Sequence, residues 1–185
     1  MDKLSLKMIF VMVVITSISG LVLSGVWSIS VKKIRKNETI KIEQALYEIN
    51  PNAESFEIVK KNEQEIYKCL DADGNLIAYF FLAQGNGFQA PIKIAASTNP
   101  SWTQILGIRI LEQSETPGLG AKITEQSFFE KFSALSLAKS SIKCIKEKAD
   151  KSKSEIRAIT AATISSKAVV KIINKKIKEL KQAGF

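Results

Sequence analysis

The stretch Leu76–Leu111, LIAYFFLAQGNGFQAPIKIAASTNPSWTQILGIRIL, decides the fold. It holds three apolar runs of strand length, Leu76 to Ala83, Pro91 to Ser97 and Ile105 to Leu111, rich in β-branched and aromatic residues. A glycine-bearing loop, Gly85-Asn86-Gly87-Phe88, separates the first two, and an Asn99-Pro100 turn separates the last two. Strands joined by such short turns read as antiparallel neighbours. The first run is apolar enough to be central. Upstream, Ile66 to Leu70 reads as a further strand, joined through Asp71-Ala72-Asp73-Gly74-Asn75. That segment resembles the start of a calcium loop, but the third liganding Asp and the distal Glu are missing. It reads as a hairpin turn with Gly74 at positive φ, and no metal site is expected.

Downstream, Thr124 is expected to cap a short helix, Glu125 to Phe132, that buries Phe128, Phe129 and Phe132. The chain closes with a helix from Ser165 to Gln182. Its apolar stripe is Ala168, Val169, Ile172, Ile173, Ile177 and Leu180, with Lys171, Lys175, Lys178 and Lys181 on or near the opposite face. The fold class is α+β, an antiparallel sheet with flanking helices.

Residues 8–31 form an uncharged, mostly apolar run of 24. At about 1.5 Å per residue the run is long enough to span a hydrocarbon core of roughly 30 Å, and too long for the apolar region of a signal peptide. The expected organisation is a tail at 1–7, a transmembrane helix at 8–31, a charged linker helix at 32–50 and one domain at 51–185. Trp27 suits an interface. Lys3 and Lys7 precede the run, whereas Lys32, Lys33, Arg35 and Lys36 follow it. Flanking charge alone leans the domain toward the cytoplasm.

The 185 residues include no histidine. That removes Ser-His-Asp and Cys-His nucleophiles, haem ligation through histidine and His-containing zinc sites. Cys69 and Cys144 cannot by themselves supply the four thiolates of an iron–sulfur cluster. Redox chemistry here would need a cofactor. The charge is uneven: residues 1–138 hold 14 basic and 14 acidic side chains, residues 139–185 hold 13 and 4. No aromatic stands between Phe132 and Phe185, which argues against nucleic acid as a partner. A solvated helix face accounts for much of the excess, and phosphate on a ligand or on membrane lipid is the other candidate.

Two segments carry a chemical pattern. In Ser114-Glu115-Thr116-Pro117-Gly118-Leu119-Gly120-Ala121-Lys122, Pro117-Gly118 sets a tight turn and Gly120 allows close approach to the backbone. A connecting loop and a grip on a planar ligand both fit. In Thr160-Ala161-Ala162-Thr163-Ile164-Ser165-Ser166, the hydroxyls precede the last helix. By spacing alone they read as N-caps, although Thr163 also lies where free N–H groups and the helix dipole favour a phosphate.

SETPGLGAKI, followed by a Phe-rich helix and then TAATISSKAV, resembles the FMN-binding domain of bacterial ion-translocating electron-transport complexes. The pattern is nearest to the G subunits of Rnf-type complexes, with the C subunits of sodium-translocating NADH:quinone reductases as relatives. GNGFQAPI resembles the Gly-rich turn and strand of that family. The resemblance implies FMN esterified through its phosphate to Thr163 by a flavin transferase. It also implies a site of Thr160, Ala161, Ala162, Ile164 and Ser165 together with Glu115, Thr116, Pro117, Gly118, Leu119, Gly120 and Lys122. It places the domain outside the cytoplasmic membrane, among other membrane and redox subunits that couple ferredoxin and NAD to Na+ or H+ transport. No independent catalytic residue is implied. In an oxidising compartment Cys69 and Cys144 could pair. Against the signature D-x-x-[S/T]-G-A-T, Arg157 replaces Asp and Ala161 replaces Gly. A structural or assembly subunit without flavin therefore stands beside the carrier, and so does the quinone-reductase relative, which only chain length separates from it.

Overall fold

The structure, a computed structural model, describes residues 3–137 and 141–185. The chain divides into two compact units, Met1–Lys41 and Ile42–Phe185. Helix α1 runs Lys3–Ile49. Its part in the first unit is apolar and exposed from Met8 to Ile29, and the helix is long and apolar enough to cross a membrane. The second unit starts at Ile42, so the last two turns of α1 group with the domain that the sequence reading begins at residue 51.

The domain is built on a six-stranded meander in sequence order, β1 (Ser55–Lys61), β2 (Gln64–Leu70), β3 (Leu76–Asn86), β4 (Pro91–Thr98), β5 (Gln104–Glu112) and β6 (Leu135–Ser136), with every pairing antiparallel. Period-two alternation sends neighbouring side chains to opposite faces. Phe81, Ile94, Ala96 and Ile108 enter the larger core, while Phe80 and Ala95 face the smaller one with Ala45 and Leu46. The larger core is closed by helix α3 (Thr163–Gln182) through Val169, Ile173, Ile177 and Leu180. Trp102, in the β4–β5 turn at φ 54°, stacks on Tyr79 and Phe81 with centroids 5.4 and 6.0 Å apart. On the smaller side, Asn50 ends α1 by donating to the Leu46 carbonyl, and its Oδ1 accepts from Ser97 Oγ at 2.8 Å.

Several expectations are corrected. The sequence reading has no strand at β1, an edge strand with alternating charge whose hairpin turns through Asn62 and Glu63, both left-handed. A two-stranded parallel pair, β7 (Lys143–Ile145) with β8 (Glu155–Arg157), stands apart from the antiparallel sheet. The helix expected at Glu125–Phe132 shortens to one turn, α2 (Gln126–Phe129), after a 3₁₀ turn at Gly120–Thr124. Thr124 does not cap it: its hydroxyl donates back to the Ala121 carbonyl at 2.8 Å, closing the 3₁₀ turn. Phe128, Phe129 and Phe132 are buried as expected. The Asp71–Asn75 segment is a turn, with Gly74 at φ 79° and the Asp71 carboxylate accepting from the Asp73 and Asn75 amides. Cys69 and Cys144 are free. One is buried in the smaller core and the other packs against the larger, so the sheet separates them and no disulfide forms.

Phe81, fully buried and stacked on Trp102, anchors the larger core. Phe81→Ala should cost about 3–5 kcal/mol of stability, read as a shift in the denaturant midpoint.

Candidate functional site

Three loops meet at one carboxylate. Glu115, expected beside a ligand, is only 4 % exposed. Its Oε1 accepts from the backbone amides of Phe88 at 2.8 Å and Gln89 at 3.1 Å, and its Oε2 accepts from Ser165 Oγ at 2.5 Å. The carboxylate thereby joins the β3–β4 loop, the 114–120 segment and the first turn of α3. Burial pushes its pKa up, but the bonds from Ser165, Gln89 and Phe88 outweigh that and hold it below the ordinary 4.5. The clasp leaves no room for side chains at two glycines. A Cβ at Gly120 would lie 2.8 Å from Ser165 Oγ and 2.9 Å from Glu115 Cβ, and one at Gly87 would run into the Glu115 carboxylate.

The 116–120 turn is held by its own backbone, with the Leu119 and Ala121 amides both donating to the Thr116 carbonyl and Gly118 at φ 72°. This lifts Leu119 into solvent. Phe88 and Ile164, on the other two segments held by Glu115, are also exposed, at 61 % and 60 %. Three apolar side chains thus stand in the open around the clasp. Phe88 had no role in the sequence reading beyond its place in the loop; GNGFQAPI was its one signal. Pro117 and Lys122 are exposed as well, and Lys122 contributes its amide to the turn.

The hydroxyls before α3 do not cap it. The N-cap is Ala162, at φ −129° and ψ 34°, with no side-chain bond. Thr163 is already the first helical residue, so its hydroxyl is past the position from which it could reach the N2 or N3 amide. Thr160 lies too far upstream, and exposed. Ser166 organises the turn instead: its Oγ donates to the Ala162 carbonyl at 2.9 Å and accepts from the Ile159 amide at 3.1 Å. The Thr163 hydroxyl, on a half-buried residue, makes no hydrogen bond among the described residues. The amides of Thr163, Ile164 and Ser165 have no intrahelical acceptor, and the helix dipole adds partial positive charge there.

Ala161 has φ 65°. The chain needs a left-handed residue at this point to turn from β8 into α3, and alanine fills it where the family signature has glycine. Arg157, in place of the signature Asp, is exposed at the end of β8, and its carbonyl accepts from Lys131 Nζ at 3.1 Å. Lys131 also lies 5.4 Å from the Phe128 ring. Burial first, then the Arg157 charge, lowers the Lys131 pKa. The edge of the site near Arg157 is therefore basic.

A free hydroxyl, unpaired amides at a helix start, exposed apolar side chains and basic neighbours suit a phosphorylated, planar cofactor. The FMN-binding domain family matches residues 87–178, which include all three loops. Over 172 residues the chain is 31 % identical to the G subunit of the ion-translocating oxidoreductase complex of Methanosarcina acetivorans, covering 89 % of this chain and 88 % of that one. It is 27 % identical to the G subunit of the proton-translocating ferredoxin:NAD(+) oxidoreductase complex of Clostridium ljungdahlii, over 88 % and 84 % of the two chains. Among solved structures, NqrC of Shewanella oneidensis superposes with a TM-score of 0.58 at 19 % identity, covering 72 % of this chain and 73 % of that one, a likeness of fold. The chain belongs to the family of G subunits of ion-translocating oxidoreductase complexes, and its folded unit is an FMN-binding domain.

Ala161→Gly should stabilise the domain by about 1 kcal/mol, because a Cβ at positive φ costs about that much; thermal melts of the two proteins in one detergent check it. Glu115→Gln should cost about 1–3 kcal/mol. Since the folded carboxyl is held below its ordinary value, the contribution of the charge is full above the ordinary carboxylate pKa and is lost as pH falls through the depressed one. The stability gap between wild type and E115Q should therefore close in acid, as melts across a pH series would register.

Proposed function

We propose that this chain is an electron-carrying subunit of an Rnf-type ion-translocating complex, with FMN joined through its phosphate to Thr163 Oγ. One observation carries the reading: a hydroxyl without a hydrogen-bond partner among the described residues, at the start of α3 and set among segments that a buried carboxylate fixes. When bound, FMN supplies the electron-relay chemistry that no side chain here provides.

The residues have distinct parts. Thr163 offers the point of attachment, and the amides of Ile164 and Ser165 with the α3 dipole favour phosphate charge. Thr160, Ala161 and Ala162 form the turn that brings Thr163 to the surface, and the small side chains of the alanines leave space beside it. Thr116, Pro117, Leu119 and the Gly118–Gly120 backbone, with Phe88 and Ile164, give an apolar seat for a flat ring. Glu115 holds the seat together. Lys122 and the basic pair Lys131–Arg157 offset phosphate charge. A covalent tether suits a carrier at a membrane surface, where dissociation would lose the cofactor.

The reading extends to a flavin transferase for maturation, to neighbouring membrane and redox subunits that bind ferredoxin and NAD, and to membrane lipid around α1. Following the family resemblance, the domain lies on the extracytoplasmic side of the membrane, against the lean of the flanking charges. The coupling ion is Na+ or H+.

Arg157 and Ala161 favour a second reading, a structural or assembly subunit of the same complex that carries no flavin. The intact mass of the protein from its own host, with peptide mapping across Ile159–Lys167, separates the two. The expected result is one FMN phosphoester on Thr163, absent from Thr163→Val while that variant keeps its fold. Flavin fluorescence persisting on a denaturing gel of the variant would overturn the assignment, and an unmodified wild-type Thr163 would favour the structural subunit.

A further inference from the structure

Beyond the loops, α3 borders a groove of about 1100 Å³. Its floor is apolar, made by Leu137, Cys144, Val170 and Ile177. Its rim carries Lys143, Lys167, Lys171, Lys175, Lys178 and Lys181, and no carboxylate lines it among the described residues. Asn174 fixes one wall to the helix, accepting from the Ile142 amide at 2.9 Å and donating to the Ile142 carbonyl at 2.8 Å.

Five of these lysines follow one another at spacings of four, four, three and three residues along α3. Like charges at those spacings lie on one face and repel. Lys175 meets Glu179 at 3.8 Å. Lys143, Lys167, Lys171, Lys178 and Lys181 form no ion pair among the described residues. Among the described residues Glu179 answers Lys175 alone, so most of the repulsion stands uncompensated and an external negative charge would relieve it.

The shape narrows the occupant. From Lys167 to Lys181 the rim extends roughly 21 Å at about 1.5 Å per residue, far beyond a single phosphate and comparable to about six extended residues. The apolar floor calls for apolar side chains between the charges, which a lipid headgroup or a free polyanion lacks. We propose that this groove docks a segment of another subunit of the complex in which Asp or Glu alternates with apolar residues. Lys167 stands one helical turn beyond Thr163, so the docked segment lies beside the site. The inference rests on this chain being a subunit of such a complex, and it does not require a flavin on Thr163.

The test uses the intact complex in native membranes, with a carbodiimide that joins lysine amines directly to carboxylates, followed by mass mapping of the linked peptides. Links from Lys171, Lys175 or Lys178 to Asp or Glu of a co-purifying subunit are expected. They should disappear in Lys171→Glu/Lys175→Glu/Lys178→Glu, whose association with the rest of the complex at low salt should slow at least about tenfold. Should the triple variant fail to accumulate, acetylation of the same lysines in the wild-type protein gives the decision: protection in the complex and labelling in the detergent-purified chain support docking. Groove lysines that label equally in both states overturn it. Equal protection by phosphatidylserine vesicles, with no protein cross-link, assigns the groove to lipid and also overturns it. Thr163 is mapped in the same digest, so an unmodified threonine would count against the flavin assignment alone.

Discussion

A single buried carboxylate fixes the relative positions of loops distant in sequence. Glu115 draws Phe88 and Gln89 from one side and Ser165 from the other into hydrogen bonds of 2.5–3.1 Å. Without it, nothing in the local sequence of the Gly85–Phe88 loop or of the TAATISS segment would bring them together. The carboxylate stays charged because its partners satisfy both oxygens, and a buried charge is tolerable on that condition. Gly87 and Gly120 are the necessary complement, since a side chain at either would strike the clasp.

The same economy governs the start of α3. Helices ordinarily begin on a residue whose side chain bonds the first free amides. Here Ala162 takes that position and Ser166 turns back to secure the entry from within the helix. The outcome is a threonine hydroxyl without a hydrogen-bond partner among the described residues and several amides without an intrahelical acceptor. Ala161 bears the local strain of this geometry, and the hydrogen bonds of Ser166 on either side of it maintain the turn.

Much of the architecture was legible in the sequence because it follows from periodicity. Strands β2 to β5 and the apolar stripe of α3 were read within a few residues of their ends, since half-buried strands and amphipathic helices write their burial into alternation. The edge strand β1 was not, because Glu57, Lys60 and Lys61 give it the look of a loop while serving to discourage pairing at an open edge. The short helix after Gly120 was read too long; only its phenylalanines, which the core demands, were secure. At the site, the ETPGLG and TAATISS segments are both visible in the sequence, yet the bond joining them is not. A contact across 50 residues leaves no trace in local spacing. The capping assignment failed for a related reason, as the helix starts at Thr163, two residues ahead of the expected Ser165, and that changes which hydroxyl can reach which amide.

The two tryptophans divide between the two units. Trp27 lies in the apolar helix, and Trp102 sits 8 % exposed, stacked on Tyr79 and Phe81, with its indole nitrogen unpartnered among the described residues. An indole so enclosed emits at shorter wavelength than one in water, and it loses that property when the sheet opens. Light emission from Trp102 is therefore an intrinsic gauge of the domain. Replacing Trp27 with phenylalanine would leave a chain whose fluorescence reports on the folded sheet alone.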